Sequence, residues 1–412
     1  MTFNNKTRIA VLLAAVLVAV SYFAAPVYLF FAEDHPGMTG PFGWITVPDE
    51  APYTQGVVDP RYSDAAKTAQ AIMAEHRAAI HAPALSAAIA VDGELVWSAA
   101  SGWADIDSEQ VATPETLFRI GSTSKAVTGT LFARLVEAGL VDVDARISTY
   151  LPTLPNDAWK NITPRQLASH TAGIPSYEGN RDYAGMYRAL ALREHHEDVA
   201  EGLSYFDGSP LLFEPGDDFE YTSFDTVLLS VVLQEAGGAP FQQLMKDWVT
   251  NPLRIETPSP DAPGARHAQS YLRNGDKVRP WWKVDLSHKL AGGGFMATPS
   301  DLALMGSAWL DDEFISAEIR DMFWTPQRLN DGSENEQGYA MNWRFADELW
   351  WTEGMPYANA NHGGVSKGSQ AWLIVIPEKR MTIALAINTR TDPFSDFGRV
   401  HAPLAAAFLN NE

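Results

Sequence analysis

Cysteine is absent from the 412 residues, which excludes disulfides, a thiolate nucleophile, cysteine-ligated metals and lipid attachment through an N-terminal cysteine. Positive charge is scarce. Thirty lysines and arginines face 51 aspartates and glutamates, and the resulting net charge of -21 argues against nucleic acid, because phosphate binding needs a basic face. Neither an internal repeat nor a low-complexity tract is found, so repeat arrays and disordered tails are set aside. What is plentiful is apolar material, 46% of the chain, enough for a large core in one or two domains.

The N-terminus carries Lys6 and Arg8 ahead of an uncharged apolar run, Ile9 to Ala32, long enough for a bilayer-spanning helix of about 20 residues. A secretory signal would have a shorter apolar region, and no small-x-small cleavage site precedes the next apolar stretch, Val27 to Phe31. The expectation is therefore an uncleaved anchor. Residues 1–8 form a cytoplasmic tail, 9–32 the transmembrane anchor, 33–61 a proline-rich linker or wrapping arm, and 62–412 one domain outside the cytoplasm. In a Gram-negative cell that is the periplasmic side of the inner membrane; cleavage within the run would make the protein secreted.

Apolar periodicity and turn signals give the coarse architecture. Asp64 to His81 reads as an amphipathic helix. Leu85–Val91 and Glu94–Ala100 read as strands joined by Asp92-Gly93, a hairpin turn. The middle third is mainly helical, with helix starts at Thr163-Pro164 and Phe224. Strands return at Ala371–Ile376 and Met381–Ile387, and a helix near Phe397–Leu409 closes the chain. Strands at both ends with helices between them predict one sheet built from N- and C-terminal segments, with an inserted helical lobe. A site belongs in the cleft between the two.

Chemistry concentrates first in Phe118-Arg-Ile-Gly-Ser122-Thr-Ser-Lys125. The stretch runs into apolar residues Val127, Leu131 and Leu135 at helical spacing, so Ser122 is expected to open a helix with Lys125 one turn on, above its hydroxyl. A lysine held in a desolvated pocket can be neutral and take the proton of a serine nucleophile. The helix N-terminus offers backbone N–H groups to an oxyanion. The plain alternative is a capping serine followed by a surface lysine.

Other stretches bear on the same question. Tyr221 and Ser223 stand two apart at a helix entrance; a phenol beside a lysine can serve as a base, though a tyrosine there can simply pack. His362-Gly363-Gly364-Val365 leads toward a strand whose edge N–H can supply a second oxyanion donor, or is a glycine-rich turn. His170 reads as a hydrogen-bonded core residue. His195-His196-Glu197-Asp198 reads as a solvated face rather than a metal site. Trp281-Trp282 and Trp350-Trp351 either line an apolar pocket or pack, and Lys367 either meets a substrate carboxylate or is solvated.

Taken in order, these stretches resemble the serine β-lactamase and penicillin-binding superfamily, in the branch with class C β-lactamases, DD-carboxypeptidases, D-aminopeptidases and related esterases. Secondary marks include His170-Thr-Ala-Gly, Pro215-Gly216 ahead of Tyr221, and Gly292-Gly-Gly-Phe-Met-Ala-Thr298. The resemblance covers roughly residues 62 to 410. It implies an α+β fold, an antiparallel sheet flanked by helices with a helical lobe inserted. It also implies Ser122 as acyl acceptor, Lys125 as its activator and Tyr221 as partner base and leaving-group acid. The N–H groups of Ser122 and Val365 become the oxyanion hole, and Ser223, His362, Gly363 and Gly364 contact substrate. Ser223 stands where asparagine is usual, and His362-x-Gly364 where β-lactamases have Lys-Thr-Gly. These departures rank peptidase or esterase chemistry on an ester or amide above β-lactamase activity, with no metal or organic cofactor required. A silent ligand-binding scaffold is the rival reading. Oligomeric state is not legible.

Overall fold

The computed structural model describes residues 5–261, 264–347 and 356–409; the Trp350-Trp351 pair lies outside them. The chain begins with helix α1 (Asn5–Ala32). Ahead of helix α2 (Ser63–Ala79), strand β1 (Tyr53–Val58) lies within the stretch expected as a linker and pairs as the edge of the main sheet. Strands β2 (Ala84–Val91) and β3 (Glu94–Asp105) form the expected hairpin. Asp92 and Gly93 at its turn adopt φ of 52° and 87°, the conformation that a tight right-twisted hairpin demands.

Beyond the hairpin, β4 (Phe118–Arg119) leads into the Ser122 stretch, and β5 (Phe295–Ala297) pairs antiparallel with β4. The chain then returns to the sheet as β6 (Arg344–Ala346), β7 (Asn359–Ser366), β8 (Ser369–Ile376) and β9 (Met381–Ile387). The order across the main sheet is β6-β7-β8-β9-β2-β3-β1, antiparallel throughout. Ala384 faces Ala88 where the C-terminal half meets the N-terminal half.

Both faces of this sheet are covered, and the period-two alternation of a strand divides its side chains between two cores. Leu85, Ala87, Ile89, Ile383 and Leu385 pack under α2 and the C-terminal helix. Ala84, Ala88, Ala90, Ala384 and Ala386 face the other way. Small side chains on that face admit a close helix, Pro299–Ala308, in which a Cβ at Gly306 would stand 2.8 Å from the Thr382 methyl. Emptying one large position, as in Leu385→Ala, should cost about 2–5 kcal/mol.

The helical lobe occupies the interval between β4 and β5. Its central helices are α3 (Ser124–Glu137), α4 (Tyr183–Ala191) and α5 (Ser223–Gly237). The predicted apolar stripe Val127, Leu131 and Leu135 is buried in the lobe core with Phe224 and Leu228. Two boundaries differ from expectation. Ser122 sits in a 3-10 turn, Gly121–Thr123, and the α-helix begins at Ser124. The final helix is two pieces, Phe394–Gly398 and His401–Leu409.

Candidate active site

The Ser122 turn is pinned from three sides. The Ile120 N–H donates to the Phe295 carbonyl at 3.1 Å, Thr123 Oγ1 donates to the His362 carbonyl at 3.1 Å, and the Phe295 N–H donates to Ser124 Oγ at 3.3 Å. Two glycines allow the turn and the strand to meet. Gly121 has φ of 51°, and a Cβ there would lie 2.5 Å from the Val365 backbone; one on Gly364 would lie 1.9 Å from the Ile120 carbonyl oxygen. No other residue fits at Gly364 without separating the Ser122 turn from β7. Among the described residues β6 covers β7 only along Asn359–Asn361, and beyond it Gly364 lies against Ile120 and Thr123 of the Ser122 turn.

Lys125, wholly buried on the first turn of α3, is the centre of the cluster. Its Nζ lies 2.8 Å from the Gly292 carbonyl, 3.1 Å from Ser223 Oγ and 3.5 Å from Ser122 Oγ. Burial holds its pKa below the usual lysine value; Tyr221 opposes that shift, while Lys289 and Arg344 add to it. In the neutral amine, two hydrogens go to Gly292 and Ser223, and the lone pair is left for the Ser122 hydroxyl.

Tyr221 is held just ahead of α5 by the Thr222 cap, whose hydroxyl accepts from the Phe224 N–H and donates to the Pro175 carbonyl, each at 3.2 Å. Its ring lies 4.7 Å from the Lys125 ammonium and 5.2 Å from the Arg344 guanidinium. Burial alone would raise the phenol; Lys125, Arg344 and the Ser122 hydroxyl outweigh it and leave the pKa below the ordinary tyrosine value. Since the charge on Lys125 is part of what lowers Tyr221, the pair as a whole, rather than both groups at once, is poised to give up one proton.

The remaining expected site residues divide. Val365 is 42% exposed beside the turn, and Gly364 faces Ser122. Gly363 is turned to the opposite face of the sheet, where a Cβ would meet the Phe394 ring at 2.9 Å. His362, expected against substrate, is wholly buried. Its Nδ1 lies 2.8 Å from the Gly363 carbonyl, which can only accept, so Nδ1 carries the hydrogen and Nε2 accepts from the Tyr339 hydroxyl at 2.8 Å. Burial, with Arg344 and Lys125, keeps this imidazole neutral. Ser223, expected against substrate, bonds Lys125 instead.

His170 is the interior residue expected, 2.9 Å from Asp225 and 4.5 Å from the Tyr221 ring. Burial drives the imidazole well below and the carboxyl well above their usual pKa values, so the pair is held in neutral forms. Lys367 fits neither expected role, being buried in an ion pair with Glu33 at 2.7 Å. His195 and His196 are engaged by Asp285 and Glu201.

Four residues escaped the sequence reading. Arg344 and Tyr339 lie in a stretch without periodic signal. Asp225 was legible only as a charge inside an apolar helix. Lys289 is half-buried, its stem 3.8 Å from a Cβ built on Gly293, itself against Gly121. Burial lowers its pKa to about 8, against Glu33 and together with Arg119. Its only signal was its place before the Gly292 motif.

Known proteins resemble this chain in sequence and fold. The beta-lactamase family model matches residues 69–408. The human serine beta-lactamase-like protein LACTB, mitochondrial, is 27% identical over 397 residues, covering 76% of this chain and 72% of that protein. The D-amino acid amidase of Ochrobactrum anthropi SV3, solved with D-phenylalanine, superposes with a TM-score of 0.69 at 20% identity, over 85% of this chain and 100% of that one. EstCE1, a hydrolase with promiscuous acyltransferase activity, gives 0.67 at 18%, again over 85% and 100%. With the family model matching nearly the whole of the folded domain, the chain belongs to the beta-lactamase family.

Proposed function

We propose that the protein is a serine hydrolase that cleaves an ester or amide through an acyl-enzyme on Ser122. The observation carrying this reading is the Lys125 amine, buried among two acceptors and the Ser122 hydroxyl. Ser122 Oγ attacks the carbonyl carbon while Lys125, with Tyr221, takes its proton. The N–H groups of Ser122 and Val365 receive the oxyanion. Tyr221 returns the proton to the leaving alcohol or amine, and water then releases the acid by the same path in reverse.

Peptidase- or esterase-like substrates fit better than β-lactams. The position that would carry a substrate-facing lysine holds His362, buried and bonded to Tyr339. Similarity to an amidase and to a hydrolase with acyltransferase activity points the same way. We also propose that α1, apolar from Ile9 to Ala32, anchors the domain in a membrane.

The test is intact-mass analysis after exposure to an active-site serine phosphonate, a β-lactam and p-nitrophenyl acetate, with Ser122→Ala as control. A Ser122-dependent adduct or ester turnover supports the reading, and the reagent that reacts ranks the substrate classes. A folded protein that reacts with none leaves the binding scaffold as the better account.

A further inference from the structure

The second half of α1 does not run free of the domain. The Phe23 ring lies 6.2 Å from Tyr187 on α4. Arg193 donates to the Tyr22 carbonyl at 3.1 Å and stands 4.6 Å over the Tyr22 ring. Farther along, the Phe30 ring is 6.2 Å from Tyr177 and carries the Lys367 ammonium 3.8 Å above it. Glu33, just past the helix, takes the Lys367 ammonium at 2.7 Å and the Gly368 N–H at 3.2 Å. The end of α1 is therefore bonded to the turn that follows Val365, the oxyanion strand.

These contacts conflict with a domain standing clear of a bilayer. From Ile9 to Tyr22 a helix rises about 20 Å at 1.5 Å per residue, against a hydrocarbon layer of about 30 Å. Contact with the domain begins before the helix has crossed. The α4 face then lies in the interfacial layer, where its Tyr183, 73% exposed, and the stem of Arg193 are at home.

The same contacts enclose a space. Pro26, Leu29 and Phe30 of α1 face Leu192, Trp281 and Trp282 across a cavity of about 230 Å³. That wall of Leu192, Trp281 and Trp282 is shared with a cleft of about 940 Å³ that extends to Arg119, three residues before Ser122. On the other side, Tyr177 links Phe30 to Lys289, whose ammonium lies 5.7 Å over the tyrosine ring, and the Lys289 stem passes beside Gly293 and the Ser122 turn.

We propose that the substrate is drawn from the bilayer itself: an acyl amphiphile, ester or amide, whose chain lies between α1 and the Trp281-Trp282 wall while its carbonyl reaches Ser122. This rests on the acyl-enzyme and anchor readings above. The fatty acyl group passes to Ser122 Oγ, the hydroxyl proton leaves with the head-group alcohol or amine, and water returns the serine and releases a carboxylic acid that stays in the membrane.

The experiment uses the full chain in phosphatidylcholine vesicles. Because the chain has no cysteine, Phe23→Cys with Tyr187→Cys gives one thiol pair, which a short bis-maleimide should bridge within a single molecule. Single-turnover acylation is then read with p-nitrophenyl hexadecanoate in the bilayer and p-nitrophenyl acetate in the buffer, with Ser122→Ala as blank. The expected result is a hexadecanoate-to-acetate rate ratio above about 10, reduced at least fivefold by Leu29→Trp, which fills the cavity. A bridged protein with acetate acylation but a ratio near one, or a ratio indifferent to Leu29→Trp, overturns the inference while sparing the hydrolase reading. Failure to bridge removes the docked anchor and overturns it from the other side. Absence of any Ser122-dependent acylation removes the hydrolase reading, and this inference falls with it.

Discussion

Lys125 donates to the Gly292 carbonyl at 2.8 Å, well inside its 3.5 Å separation from Ser122. A backbone acceptor cannot rotate away, so one hydrogen of the amine is fixed. Ser223, at 3.1 Å, fixes a second, and the direction toward Ser122 is what remains. If Lys125 is the base of the proposed mechanism, Ser223 is the residue that aims it.

Ser223→Ala should therefore lower kcat about tenfold on a short ester with little change in KM, since the base loses orientation and the substrate loses nothing. Lys125→Met should lower kcat by about 10²–10⁴, the range for a general base. Ser223→Asn, which restores an acceptor of longer reach, should recover kcat. Steady-state kinetics with p-nitrophenyl acetate decide it; a Ser223→Ala enzyme with normal kcat would remove Ser223 from any role in aiming the amine.

Arg344 should govern the pH dependence of the proposed reaction. Its guanidinium stands 5.2 Å over the Tyr221 ring and 4.9 Å over Tyr339, and it lowers the pKa of both Tyr221 and Lys125. The base is active when deprotonated, so kcat/KM rises with pH through that lowered value. Arg344→Met lets both groups climb back, and the acid limb of the profile should move to higher pH. The variant should be weak near neutrality and recover in alkali. A limb that stays in place after the substitution would mean that neither group is the base.

Much of this was legible in the sequence, for identifiable reasons. Patterns that act over a few residues survived intact: the Asp92-Gly93 turn, the stripe Val127, Leu131 and Leu135, and the spacing that set Lys125 against Ser122. Interactions made across the fold did not. Nothing near Lys367 in the chain announces Glu33, its partner at 2.7 Å, and nothing near His362 announces Tyr339. A glycine pair reads as one motif, yet strand alternation sends Gly363 and Gly364 to opposite faces. The six-residue edge strand Tyr53–Val58 was not legible because it sits among prolines that conceal it.

Those opposed glycines make a matched pair of variants. A Cβ on Gly364 would fall 1.9 Å from the Ile120 carbonyl oxygen, so β7 and the Ser122 turn must part. Gly364→Ala should cost about 10²–10³ in acylation rate, as for loss of an oxyanion donor, in a protein that still folds by circular dichroism. Gly363→Ala meets only the Phe394 ring, 2.9 Å away on the far face. It should lose about 1–3 kcal/mol of stability from overpacking and keep its acylation rate within a few-fold. Equal damage to acylation from both variants would count against Gly364 as the hinge of the site.

Burial of Lys289 should carry a stability cost. Glu33, which would favour its charge, is bonded to Lys367 instead. Burial leaves the Lys289 pKa at about 8 in the folded protein, against about 10.4 for an unfolded lysine. Because the folded value is depressed, the unfolded chain binds a proton that the native state refuses as pH falls between those two values. Stability attributable to this group is thus present above the unfolded pKa and lost as pH falls toward about 8, below which the deficit is constant. Lys289→Met keeps the packing of the stem and removes the charge. Its Tm should exceed that of the parent at pH 7 and converge with it above about pH 10.4. A variant less stable than the parent at pH 7 would mean that the amine is held by a favourable bond, and that the cost assigned to its burial is wrong.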